Sequence, residues 1–201
     1  MGKASRRPKG GRKVRRRRWP VIAGWSGGAL ALVLAGFLLF HGSGSGAGSS
    51  PIPAPSVAAG VLARGQPPPN FTATTFDGKS LTLSSLRGKP VLVNFFASWC
   101  TQCAHELPLM EQAYQAHRSS GFTIVAVNSL ENGDGVAFYH SFGLTFPAVH
   151  DPGNPGAIAS AYNVIAGLPV SVFVAKDGTV DLIEQGALTS DLIEAEIQKL
   201  S

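Results

Sequence analysis

A chain of 201 residues has room for one globular domain of ordinary size plus extensions. Its net charge of +5 is unevenly placed: ten of the 17 Lys and Arg residues lie in the first 18 positions, and the other seven face 12 Asp and Glu, leaving that remainder at −5. A mildly acidic remainder gives no basis for a nucleic-acid partner, and two cysteines only three positions apart exclude a disulfide-stapled scaffold, which spreads its cysteines to close long loops.

In chain order, residues 1–18 are a basic tail ending in Arg15-Arg16-Arg17-Arg18. Val21–Phe40 then runs for 20 residues without a charge, which as a helix would cover roughly 30 Å, a bilayer's hydrocarbon thickness. Trp19 and Trp25 suit the headgroup interface. Residues 19–41 are therefore expected to form a transmembrane signal-anchor, longer than the apolar core of a cleaved signal. The basic tail keeps the N-terminus cytoplasmic and the remainder outside. Residues 42–69 are rich in Gly, Ser, Ala and Pro and read as a tether.

Residues 70–201 alternate strand and helix signals. Phe71–Thr75 and Ser80–Leu83 flank Asp77-Gly78, a hairpin signal, and Val91–Phe96 is an apolar run suited to a central strand. A helix is expected from Cys100 to about His117, with Leu107, Met110 and Tyr114 on one face and Pro108 bending it. Thr123–Asn128 reads as a second buried strand, followed by a helical insertion over about Leu130–Ala161, with helices near Gly135–Phe142 and Gly156–Tyr162. Val170–Ala175 and Val180–Gln185 form a hairpin across Asp177-Gly178, and an amphipathic helix carrying Ile193, Ile197 and Leu200 closes the chain behind capping groups at Thr189–Asp191. The expected class is α/β, a central mixed sheet flanked by helices, with an N-terminal hairpin and a helical insertion.

The chemistry sits at Cys100 and Cys103. Residues i and i+3 of a helix share a face, close enough for a disulfide. Cys100, at the helix N-terminus, meets unpaired N–H groups and the positive end of the dipole, which favour a thiolate. It is the expected nucleophile, with Cys103, one turn deeper, resolving the mixed disulfide. Trp99 offers a flat apolar surface to a partner, and Leu168-Pro169 precedes a strand.

The stretch NFFASWCTQCAHELPLM, the strand TIVAVN, the segment FGLTFPAVHDPGN and the run GLPVSVFVAKDG together resemble the TlpA/ResA/CcmG family of membrane-anchored thioredoxin-like proteins, over roughly residues 70–201. The resemblance implies a thioredoxin-like fold and a redox-active disulfide between Cys100 and Cys103. It makes Pro169 the cis-proline facing that disulfide, with Trp99 and Leu168 as substrate contacts, and Glu106 the acidic residue beside the site. A carboxylate near two thiols is also a reasonable proton acceptor in its own right. Asn94 stands where thioredoxin has a buried Asp and cannot take that role, which leaves Glu106 as proton carrier. Gln102 departs from the Pro the family places before the second cysteine, and the residues between the cysteines influence the reduction potential.

The leading expectation is an enzyme that reduces disulfides in exported proteins. By resemblance these are apocytochrome c or a copper-delivery protein, with a transmembrane thiol carrier as electron donor. The alternatives are a thiol-oxidising disulfide donor and a non-enzymatic copper metallochaperone, although copper-carrying relatives place three residues between their cysteines. Neither cysteine has a Thr three residues before it, which argues against a peroxidase of the peroxiredoxin type. His105 and His150 read as ordinary histidines, and no metal or cofactor is expected.

Overall fold

The computed structural model describes residues 51–201. The expected basic tail, the anchor over residues 19–41 and the start of the tether lie outside the described residues. Among the described residues, no helix is long and apolar enough to cross a membrane.

The fold is built on two sheets. A small antiparallel one joins β1 (Ser56–Val57), β2 (Phe71–Thr74) and β3 (Ser80–Thr82) in that order. The central five-stranded sheet contains β4 (Val91–Phe96), β5 (Thr123–Asn128), β6 (Ala148–His150), β7 (Val170–Val174) and β8 (Val180–Gln185), in the order β6-β5-β4-β7-β8. β4 pairs parallel with β5, and β5 with β6; β7 runs antiparallel to both β4 and β8. Its helices are α1 (Thr101–His117), α2 (Gly135–Ser141), α3 (Ala157–Ala161) and α4 (Ser190–Leu200).

Alternation along the strands creates the two core layers. Leu92 and Phe96 of β4, Ile124 and Ala126 of β5 and Phe173 of β7 join Leu107 and Met110 of α1, Tyr139 of α2 and Ile193 and Ile197 of α4. Val91, Val93 and Phe95 turn the other way and meet Val125, Val172, Phe71 of the small sheet, and Ile158 and Tyr162 at α3. All six residues of β4 are buried, as a strand covered on both faces requires. Helix α1 continues through Pro108. Thr189 caps α4 by accepting from the Leu192 N–H.

Two boundaries differ from the sequence expectation. The folded unit begins upstream of residue 70. Val57 pairs with Phe71, the Gly65 N–H donates to Val180 O (2.8 Å), the Val180 N–H donates to Gln66 O (2.9 Å), and buried Pro69 accepts from the Tyr162 hydroxyl (2.8 Å). Composition missed this because an edge strand held by backbone hydrogen bonds needs no apolar run and tolerates neighbouring prolines. The insertion over Leu130–Ala161 is also not wholly helical. It contains β6, an edge strand of three residues, too short to show a periodicity.

Candidate functional site

Strand β4 ends at Phe96, and Ala97-Ser98-Trp99 turn the chain into α1. That turn is pinned from the opposite loop. Glu131 accepts from Ser98 N–H (2.8 Å), Ser98 Oγ (2.6 Å) and Asn128 Nδ2 (2.7 Å), while Trp99 Nε1 donates to Leu130 O (2.7 Å). Burial works to raise the proton affinity of Glu131, but the donors from Ser98, Asn128 and Gly133 outweigh it and hold the carboxyl below its ordinary range. Sequence reasoning missed Glu131. The available signal was its position in the loop just past the carboxyl end of a parallel strand, where sites in open α/β sheets gather.

Cys100 is the N-cap of α1, and its Sγ accepts the Cys103 N–H at 3.1 Å. The sulfur thus occupies the place where a capping oxygen usually sits, with a backbone donor and the helix dipole directed at it. Cys100 and Cys103 form a disulfide, with Cα atoms 5.2 Å apart. Cys103 is wholly buried and Cys100, the expected nucleophile, is 4 % accessible, so the small approach to the disulfide is through Cys100.

Glu106 lies one turn beyond Cys103 and is fully buried rather than solvated. Its Oε1 accepts from Asn94 Nδ2 (2.7 Å) and its Oε2 from the Leu188 N–H (2.8 Å). Burial pushes its pKa up to about 7, against the opposing pull of those two donors. Asn94 Nδ2 also donates to Ser171 Oγ (2.9 Å), directly across the β4–β7 register. Neither Ser171 nor Leu188 was singled out from the sequence.

The Leu168-Pro169 bond is cis, and Pro169 is buried, its carbonyl accepting from the Gly186 N–H (3.0 Å). Leu168 is half-buried and packs against the core cluster that contains both cysteines. Trp99 is 46 % exposed beside Cys100, and Ile165, 63 % exposed, lies in the loop leading to Leu168. Gln102 is exposed on the first turn of α1. His105 is exposed, and His150 packs against Phe76 with the two rings tilted (centroids 4.6 Å apart), where burial lowers its pKa. The structure therefore brings Cys100, Cys103, Glu106 and Asn94 together around the N-terminal half of α1, and leaves the two histidines in different settings.

A dithiol at a helix N-terminus, with one sulfur approachable and the other enclosed, is equipped for disulfide exchange. The comparisons agree. The ResA thiol–disulfide oxidoreductase of Geobacillus kaustophilus is 36 % identical over 141 residues, covering 70 % of this chain and 79 % of the relative. That of Bacillus subtilis is 35 % identical over 133 residues, covering 66 % and 73 %. Among solved structures, a thioredoxin-family thiol:disulfide interchange protein of Chlorobium tepidum superposes with TM-score 0.58 at 30 % identity, covering 69 % of this chain and 97 % of its own. A secreted Mycobacterium tuberculosis disulfide oxidoreductase homologous to DsbE does so with TM-score 0.55 at 29 % identity, covering 65 % and 96 %. Residues 64–183 match the AhpC/TSA family, and the chain belongs to that family as a thiol–disulfide oxidoreductase of the ResA/DsbE type with a thioredoxin-like fold and a Cys100–Cys103 pair.

Proposed function

We propose that this oxidoreductase works as a reductant outside the cytoplasm, anchored by residues 19–41, on disulfides of exported proteins such as apocytochrome c or a copper-delivery protein. The observation that carries the reading is the division of labour at the helix N-terminus: Cys100 Sγ is held at 3.1 Å by the Cys103 N–H, while Cys103 is fully enclosed next to a turn bearing a buried carboxyl. The resemblance of residues 70–201 to anchored thioredoxin-like reductants supports the direction, and the 20 uncharged residues Val21–Phe40 support the location.

In the reduced protein, the Cys100 thiolate attacks one sulfur of the substrate disulfide. The mixed disulfide forms and the first substrate thiolate leaves, taking a proton from water. Cys103 then gives its proton to the Glu106 carboxylate and, as thiolate, attacks Cys100 Sγ. The Cys100–Cys103 disulfide closes and the second substrate sulfur departs as a thiolate that takes a proton from water, so that two electrons have passed from the dithiol to the substrate while Glu106 returns its proton to solvent. A carboxyl with a pKa of about 7 can accept and release that proton at neutral pH. Trp99 and Leu168 supply apolar contact for the incoming chain, and Pro169 shapes the strand edge beside it. The dithiol is recharged by a membrane thiol carrier.

A trapping experiment tests this. The Cys103→Ala variant, incubated with a haem-free cytochrome c whose Cys-x-x-Cys pair is oxidised, is expected to accumulate a mixed disulfide at Cys100. Turnover of that substrate by the unaltered protein with no adduct on the Cys103→Ala variant would remove the assigned roles. The oxidant reading enters through Gln102, which stands in place of Pro at a position that influences the reduction potential, and it predicts the reverse traffic: trapping with reduced substrate by the oxidised protein. Copper binding is tested separately by titrating the reduced protein with Cu(I); stoichiometric binding lost in His105→Ala or His150→Ala would favour the metallochaperone.

A further inference from the structure

Three buried polar groups meet behind the cysteines, and one atom among them lacks a partner. Asn94, Glu106 and Ser171 are each 0 % exposed. Asn94 uses one Nδ2 hydrogen on Glu106 Oε1 (2.7 Å) and the other on Ser171 Oγ (2.9 Å), while its Oδ1 accepts nothing. A buried carbonyl without a donor is uncommon, and the asymmetry calls for a reason.

A carboxamide turned over about its last torsion exchanges its nitrogen and oxygen with almost no movement of atoms. We propose that Asn94, held by Ser171, is a two-state positioning residue whose amide turns over with the protonation of Glu106. With Glu106 ionised, Nδ2 faces the carboxylate and Ser171 Oγ, as seen here. With Glu106 protonated at Oε1, the same orientation would set its O–H against an N–H, donor against donor. Turned over, Oδ1 accepts both the Glu106 O–H and the Ser171 O–H, and Nδ2 takes the unpartnered place. The proton Glu106 gains is the one Cys103 gives up on becoming a thiolate, so no further reagent is consumed. Only a hydroxyl can serve both states, accepting from Nδ2 in one and donating to Oδ1 in the other. The inference rests on the reading of Glu106 as proton carrier and deepens it.

The groups that face the Glu106 carboxyl are Asn94 from β4 and the Leu188 N–H from the segment before α4, with Cys103 one turn back on its own helix; no charged side chain contributes to its raised pKa. Burial raises its pKa and the Leu188 N–H lowers it, both fixed by the fold, and of the groups that face the carboxyl only the Asn94 amide can reverse its polarity. The turned-over state leaves the Nδ2 hydrogens unpartnered with or without Ser171, so removing the hydroxyl adds an unsatisfied N–H to the ionised state and only an idle lone pair to the protonated one, the added N–H being the less tolerated defect. Ser171→Ala is thus expected to tighten proton binding at Glu106.

The test is carbon and nitrogen NMR of the full-length oxidised protein across pH, following the Glu106 carboxyl carbon (assigned by its loss in Glu106→Gln) and the Asn94 side-chain amide. Both are expected to titrate with one midpoint near about 7. Ser171→Ala should raise that midpoint by about one unit, tenfold in proton affinity, Asn94→Leu should raise it further, and Ser171→Thr should restore it. An Asn94 amide that stays put while Glu106 titrates overturns the proposal, as does an unchanged midpoint in Ser171→Ala, which decides the matter if Asn94→Leu does not fold. Disulfide-exchange rates on the same unaltered sample separate the two layers: a coupled titration in a protein that exchanges no disulfides contradicts the proposed function and still supports the coupling.

Discussion

Two buried carboxylates, at two corners of the central sheet, serve different ends. At the β6–α3 corner, Asp151 is 2 % exposed and accepts three hydrogen bonds: from Ser129 Oγ (2.6 Å), the Ile158 N–H (2.9 Å) and the Ala159 N–H (2.8 Å). Its oxygens are committed to tying the start of α3 to the end of β5. At the β4–α1–β7 corner, Glu106 accepts only two, and one donor belongs to an amide able to reverse its polarity. Burial costs a carboxylate free energy in both places. On the proposed reading, the number and kind of donors decide whether the group becomes a clamp or a carrier of protons.

The comparison can be broken most sharply at Glu106. With a folded pKa of about 7 against an ordinary value of 4.5, folding favours its protonated form. Stability from this group is therefore fully present below about pH 4.5 and is lost as pH rises through about 7, to an extent of about 3 kcal/mol. Glu106→Gln is expected to erase that loss in urea unfolding at pH 8, and to slow resolution of the mixed disulfide by about 100-fold in stopped-flow exchange. A pH-stability profile identical in the two proteins would sink the contrast.

Asp151 is expected to matter for stability rather than for exchange. Asp151→Ala strands three donors and is expected to cost about 2 kcal/mol at neutral pH by urea unfolding, with the exchange rate of the folded protein unchanged. The smallest effect is expected at the rim. Trp99→Phe removes the Nε1 bond to Leu130 O and should raise the KM for a protein disulfide by no more than about fivefold, a loss of about 1 kcal/mol, with kcat held.

The sequence made the cysteine pair, the two Asp-Gly hairpins, the all-buried β4 and the apolar faces of α1 and α4 legible, because each rests on a local pattern or a spacing. Glu106 was harder. Its spacing from Cys103 puts it on the same helix face, yet only the approach of β4 and the segment carrying Leu188 encloses it. Asn94 was read as a missing acid, whereas its role comes from sharing its amide between Glu106 and Ser171, a residue 77 positions away and brought near by the antiparallel β4–β7 register. Such a contact leaves no mark in a single sequence. β1 and β6 stayed hidden for a related reason: strands of two and three residues gain their definition from the neighbour they pair with, not from their own side chains.

The most direct test of the central claim is the reduction potential of the protein, equilibrated in thiol–disulfide buffers at neutral pH, with Cys100→Ser as the control that carries no couple. A reductant predicts a value near or below roughly −270 mV. A value near roughly −120 mV, that of a strong oxidant, would make the protein a donor of disulfides and contradict the proposed direction of electron flow.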